Sequence, residues 1–336
     1  MHSAIRSLVK QIYGAHPFTF IDVGAMGGIA SKWDVLGDAM KIIAFEPDER
    51  EFSKLTNTQR VTYLNYLVYD RKQDLTFYIA RKPGNSSIFR PNKKVLDQFP
   101  EDERFDVVNE KSFLSAKVRT FDALVQEGTI KDLDFMKIDT EGCELPILES
   151  GRKLLLPKVF GMQLEVEFIQ KCENQPLFRH VDEFMDQEGY QLIDLKRQFW
   201  KRKNYYNYVG KGQLIFGDVL YFKKIEVLRE YLSANNRDGY AKAKIYKAIL
   251  ACLVYKVLDY AMAVADMGLE NKFVSAQEHV EILAAVKSYA SFGVMPDFPG
   301  KEFLYKTFRR AAEKTKPMSF RGWADSDRFI GNIQDH

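Results

Sequence analysis

The chain has 336 residues, with 49 lysines and arginines against 46 aspartates and glutamates and a net charge of +3. This balance demands no polyanion-binding face, so charge gives no strong nucleic-acid signal, and the length suggests about two domains. The longest apolar run, Ala248 to Tyr255, is bounded by lysines and falls far short of the ~20 residues that cross a bilayer.

The first ten residues lack a sustained apolar segment of signal-peptide type. Three scattered cysteines, Cys143, Cys172 and Cys252, form no CxxC pair, which fits a reducing cytoplasmic setting and excludes a four-cysteine zinc site. Thr19–Val23 and Lys41–Phe45 read as short buried strands with an amphipathic segment, Ile29–Met40, between them. Val61–Val68 and Leu75–Ala80 read as further strands, and residues 81–92, rich in Pro, Gly, Asn and Ser, as a loop. Val118–Val125, Leu133–Ile138 and Val159–Val166 continue the strands, with helical stretches between them. Leu177–Glu188 reads as a helix stopped by Gly189, and Tyr190–Leu195 and Val219–Phe222 as the last strands. This alternation predicts an α/β fold: a largely parallel sheet with helices on both faces. From about Lys224 the apolar spacing becomes helical, so the expected division is 1–223 as an α/β domain and 224–336 as a helical region for packing and possible homo-oligomer contact.

Two motifs carry the chemistry. The first is Asp22-Val23-Gly24-Ala25-Met26-Gly27-Gly28, a strand running into a glycine-rich turn, followed at the end of the next strand by Glu46. Glycines allow close backbone approach and positive φ, and an acid after the second strand is placed to accept hydrogen bonds from ribose hydroxyls. The alternative is a tight turn with a solvated acid. The spacing is G-x-x-G-G rather than G-x-G-x-x-G, and Asp22 would repel a pyrophosphate but attract a cation. These features favour S-adenosylmethionine, which carries an ammonium and a sulfonium, over a nicotinamide dinucleotide.

The second motif is Lys137-Ile138-Asp139-Thr140-Glu141-Gly142-Cys143-Glu144, three carboxylates and a lysine at a strand end. With the glycine motif, Phe45-Glu46-Pro47 and Arg119-Thr120-Phe121-Asp122-Ala123-Leu124, it resembles the FkbM family of S-adenosylmethionine-dependent methyltransferases over about residues 18 to 223. The resemblance implies a Rossmann-like class I methyltransferase fold and, usually, O-methylation of hydroxyls on sugars or other metabolites. It places Asp22, Gly24 and Gly28 at the methionine part of the cofactor, Glu46 at the ribose, and Tyr66 to Asp70 near adenine, with Asp70 taken as the contact.

Methyl transfer needs alignment of the acceptor oxygen and a base for its proton. Asp139, beside the expected methyl position, is the first candidate, with Glu141 and Glu144 next and Lys137 as their pairing partner. Glu141 and Glu144 could equally serve only the dipole of the following helix. A divalent metal held by Asp139, Glu141, Glu165 and Glu167 is a further option, since these are hard oxygen ligands and Glu165 and Glu167 share a strand face. His180 reads as a surface or packed residue. The stretch Phe199 to Tyr208 could stack on a sugar or tuck into the core, and Gly84-Asn85-Ser86-Ser87 could close over the acceptor, a plain surface turn being the simpler reading. The leading expectation is a sugar O-methyltransferase; the alternative is an inactive binding or scaffold protein that assembles through its helical region.

Overall fold

The computed structural model describes residues 3–12, 16–205, 211–237, 239–291, 296–315, 327 and 330. In chain order its elements are α1 (Ser3–Val9), β1 (Phe18–Val23), β2 (Met40–Phe45), α2 (Glu49–Phe52), β3 (Val61–Leu64), β4 (Leu67–Val68), β5 (Leu75–Ala80) and α3 (Lys93–Leu96). There follow β6 (Val107–Phe113), β7 (Val118–Arg119), α4 (Phe121–Gln126), β8 (Phe135–Ile138), α5 (Glu144–Glu149), β9 (Gly161–Glu167), α6 (Phe178–Gln187), β10 (Tyr190–Trp200) and β11 (Gln213–Lys223). The chain then turns helical through α7 (Ile225–Ala234), α8 (Tyr240–Val254), α9 (Leu258–Glu270), α10 (Ala276–Ala290) and α11 (Lys301–Thr315).

Seven strands form one sheet in the order β3-β2-β1-β8-β9-β11-β10. The pairings of β3, β2, β1, β8 and β9 are parallel, and β11 runs antiparallel to both its neighbours. Alternation decides what each strand shows to each side. Ile21 and Val23 of β1, Met136 and Ile138 of β8 and Leu164 and Val166 of β9 pack with α4, α5 and α6. Phe18 and Phe20 of β1, Phe135 of β8 and Leu220 and Phe222 of β11 face the other way, towards Trp33, α1 and the helices from α7 to α10.

That second side explains the helical region. Between β1 and β2 the expected amphipathic helix is absent: residues 31–39 make only 3-10 turns, broken at Gly37, whose φ is 52° and ψ −134°. From it Trp33 packs on Phe18, Phe20 and Phe135, and Leu36 is buried. Helix α8 packs beside this segment and is buried on nearly every side, Lys244 and Lys247 included. Tyr255 just beyond it stacks on Phe135 at 5.3 Å. The side chains of α8 to α10 thus share one apolar cluster with the sheet.

A buried ion cluster fastens α8 to the base of the sheet. Lys244 Nζ lies 2.6 Å from Asp134 Oδ1 and 2.8 Å from Asp132, and Lys247 Nζ lies 3.0 Å from Asp134 Oδ2. Asp134 Oδ2 also accepts from the amide and hydroxyl of Thr19. Burial would raise the Asp134 pKa, but Lys244 and Lys247 hold it below its ordinary value.

Other expectations need correction. Val61–Val68 is two strands, because Asn65 Nδ2 donates to the carbonyls of Glu46 and Pro47 and ends β3; Leu67–Val68 pairs with β7 instead. Val118–Val125 is a strand for two residues only. Thr120 then caps α4, its hydroxyl accepting from Ala123 N. β6, which pairs with β5, carries a mixed and largely exposed pattern that hides it from periodicity.

The ion cluster sets a test. Asp134→Ala leaves two lysines buried without their main partner and should cost about 3–5 kcal/mol in urea unfolding. A loss below about 1 kcal/mol would mean the cluster does not hold α8 in place.

Candidate active site

A crevice opens at the carboxyl ends of β1, β2 and β8. Gly24 and Met26 line it from the first turn, Glu46, Pro47 and Asp48 from the end of β2, Phe77 from β5, and Lys137, Asp139, Thr140 and Glu141 from the end of β8. Pro83, Gly84 and Ser86 close one side. The loop read as a plain turn is therefore part of the wall, and Asn85, Ser86 and Ser87 are buried. Ser87 Oγ donates to the Glu141 carbonyl at 2.9 Å, tying this loop to the strand tip.

At the floor, parallel pairing sets Asp22 opposite Lys137. Lys137 Nζ lies 3.1 Å from Asp139 Oδ2 and 3.7 Å from Asp22 Oδ1. Burial opposes charge on Lys137, yet Asp139 and Asp22 hold its pKa above the ordinary value. Asp22 is pushed up to about 6 by burial, against the pull of Lys137, and its Oδ1 is buried with no hydrogen-bond partner. Asp139 keeps 36% of its side chain exposed, so it is the acid of the three that an entering molecule can reach. Gly24 has a reason besides ligand approach. At φ +82° a Cβ there would stand 2.0 Å from the Asp139 carbonyl oxygen, so only glycine lets the tips of β1 and β8 meet.

Glu46 lies beyond β2, 5% exposed, and one carboxylate oxygen accepts from Asp48 N at 2.8 Å. Burial pushes its pKa up to about 7, with the Asp48 amide opposing. Asp48 caps α2 and pairs with Arg50, whose guanidinium reaches the Ala80 carbonyl and Ser86 Oγ. Arg50 thereby links the β2 turn to the closing loop.

Behind the crevice, Glu141 takes a left-handed conformation, φ 56°, and its carboxylate meets a buried lysine. Lys171 Nζ lies 2.9 Å from Glu141, 3.5 Å from Glu165 and 3.1 Å from Glu167. One ammonium cannot neutralise three acids, and burial raises the pKa of both Glu165 and Glu167. The three carboxylates do lie within 4.8 Å of one another. However, Lys171 already stands where a cation would sit, so the set does not fit a divalent metal, and Asp139 is not part of it.

Of the residues singled out in the sequence, Gly24, Glu46, Lys137, Asp139 and Glu141 meet at the crevice, with Asp22 beneath them. Glu144 does not line it. It is buried and accepts from the amide and hydroxyl of Thr140, shaping the turn, and burial, with Glu167 adding to it, raises its pKa well above the ordinary value. Gly28 stands outside the lining, 3.7 Å from the Tyr63 hydroxyl by its Cβ position, and Asp70 lies away from it beside Arg71. His180 accepts from Leu177 N as a helix cap. Phe199 and Trp200 are buried, Trp200 against Phe99 and Phe105; residues 206–208 of that stretch lie outside the described residues. Sequence reasoning missed Lys171, Phe77 and Arg50. Only the spacing of Lys171 four residues after Glu167 hinted at a pair.

The sequence profile of the methyltransferase FkbM domain matches residues 22–192, just over half the chain. The chain belongs to the FkbM methyltransferase family. Its sheet order and single antiparallel strand are those of a class I methyltransferase, and S-adenosylmethionine-dependent methyl transfer is the activity class the family carries. No curated protein matches the chain. Among solved structures it is similar to precorrin-6y C5,15-methyltransferase from Geobacter metallireducens, at 13% identity over 66% of this chain and 87% of that one, TM-score 0.30. TrmK of M. capricolum with S-adenosylhomocysteine aligns at 8% identity over 87% and 97% of the two chains, TM-score 0.29. Such scores carry no chemistry across.

The residues present fit the cofactor of this family: Asp22 Oδ1, buried without a hydrogen bond and 3.7 Å from Lys137 Nζ, suits an ammonium, and Glu46 suits vicinal hydroxyls. Its raised pKa sets a pH dependence. In the free protein Glu46 ionises around pH 7 rather than near its ordinary 4.5, so the cost of its charge to the folded chain grows between those values and is borne in full only above about 7. A ligand that donates to the ionised carboxylate favours that form, so affinity should rise with pH. Calorimetry should find S-adenosylmethionine binding about tenfold weaker at about pH 6 than at about pH 8. Glu46→Gln should bind more weakly and lose most of that dependence; an unchanged pH profile in this variant would remove Glu46 from the site.

Proposed function

We propose that the chain is an S-adenosylmethionine-dependent O-methyltransferase that methylates a hydroxyl of a sugar, in a glycan or its precursor. The observation that carries this reading is Asp139, a half-exposed carboxylate in the crevice wall held at 3.1 Å by Lys137. When bound, the cofactor supplies a methyl already activated by its sulfonium. The chain's own work is then to orient the acceptor oxygen and receive its proton. Asp139 is placed to accept that proton, and Lys137 fixes its carboxylate. Asp22 anchors Lys137 from below, and Glu46 with the 83–86 loop encloses the crevice.

The row of polar side chains that continues across the sheet from Lys137 supports a polyhydroxyl acceptor. On the side of the sheet that carries Asp22, pairing aligns Lys137 with Gln163 and Glu165 with Asp218, which in turn faces Lys196. Gln163 Oε1 accepts from Lys32 Nζ at 2.6 Å and from the Tyr255 hydroxyl, and its Nε2 donates to Asp218. Lys196 pairs with Asp218 at 3.0 Å, and both are partly exposed. Alternating donors and acceptors of this kind match sugar hydroxyls.

Asp139→Asn should lower kcat by about 10²–10⁴-fold while leaving the cofactor dissociation constant within about threefold. Incubation with methyl-labelled cofactor and a panel of glycans and nucleotide sugars should yield a sugar methyl ether. Label appearing on RNA or on nitrogen would reject the acceptor class, and full turnover by Asp139→Asn would reject the base.

A further inference from the structure

Among the described residues, the apolar faces of α7 to α10 are largely covered, but that of α11 is not. Phe303 is 75% exposed, Leu304 44%, Tyr305 62% and Phe308 66%. At ~100° per residue, Leu304, Phe308, Ala311 and Ala312 form one stripe, Tyr305 borders it on one side and Phe303 on the other. Arg309 follows beyond the Tyr305 edge, and Arg310 and Lys314 stand beside Phe303. All three are exposed. The helix holds five basic residues and two acidic ones, a net +3, and Lys306 pairs with Glu302 on its polar side.

We propose that α11 is a membrane-surface anchor, lying in the headgroup region of an anionic bilayer with Phe303, Leu304, Tyr305 and Phe308 immersed and Arg309, Arg310 and Lys314 on lipid phosphates. An apolar arc flanked by cations matches this environment on both counts, burial and charge. A second copy of the helix matches only the first, because two stripes packed face to face would align their basic flanks. The helix lies on the surface and does not cross, since no helix among the described residues is long and apolar enough to span a membrane. The anchor is independent of the acceptor proposed above, though a bilayer location would bring the crevice to lipid-linked substrates.

The test is sedimentation of the full chain with vesicles of phosphatidylcholine alone or with about a third phosphatidylglycerol. Binding is expected only to the anionic vesicles and should fall with added salt. Removing one cation should weaken it about fivefold, so the Arg309→Ala/Arg310→Ala variant should bind about 25-fold less. Phe308→Ser should also weaken it, with the melting temperature unchanged because the ring is exposed. No sedimentation with anionic vesicles, or equal binding to both vesicle types, overturns the proposal. So does a concentration-dependent dimer lost in Phe308→Ser without any vesicle binding, which would assign the stripe to a second copy.

Discussion

The site depends on one ammonium. Lys137 rises from β8 between Asp22 of the neighbouring strand and Asp139 at its own tip, and without it two carboxylates would crowd a poorly solvated floor. A charge in such surroundings persists only where partners offset its desolvation. Here the partners come from strand pairing, because register alone puts Asp22 across from Lys137. The close approach of these tips leaves no room for a side chain at residue 24. Glycine, acid pair and lysine are therefore parts of one packing solution, and the crevice is the space it leaves above.

The same device recurs in two other places. At the base of the sheet Lys244 and Lys247 from α8 meet Asp132 and Asp134, and behind the crevice Lys171 meets Glu141, Glu165 and Glu167. In each, a buried lysine meets acids contributed by other elements, and breaking one partner leaves a buried charge uncompensated. The first pins the helical region to the sheet. The second takes the position where a metal would sit and holds the turn carrying Glu141 against the loop bound by Ser87.

Much of this was legible in the sequence. Strands buried on both faces are continuous apolar runs, so β1, β2, β8 and β9 stand out, and an acid or glycine at their ends marks the crevice. What stayed hidden depends on partners far away in the chain. Nothing local shows that Lys171 fills the cage of Glu165 and Glu167, or that Glu144 turns inward to Thr140. Nor could periodicity show that residues 31–39 fail to make a helix, for their apolar spacing at Trp33 and Leu36 also suits 3-10 turns. Side chains of the helical region, α8 foremost, share the apolar cluster of the sheet.

The most direct measurement is a crystal structure with S-adenosylhomocysteine at saturating concentration. The account predicts the nucleoside in the crevice, ribose hydroxyls on the Glu46 carboxylate and the amino-acid end towards Asp22. An empty crevice, or a nucleoside bound with Glu46 and Asp22 untouched, would contradict it.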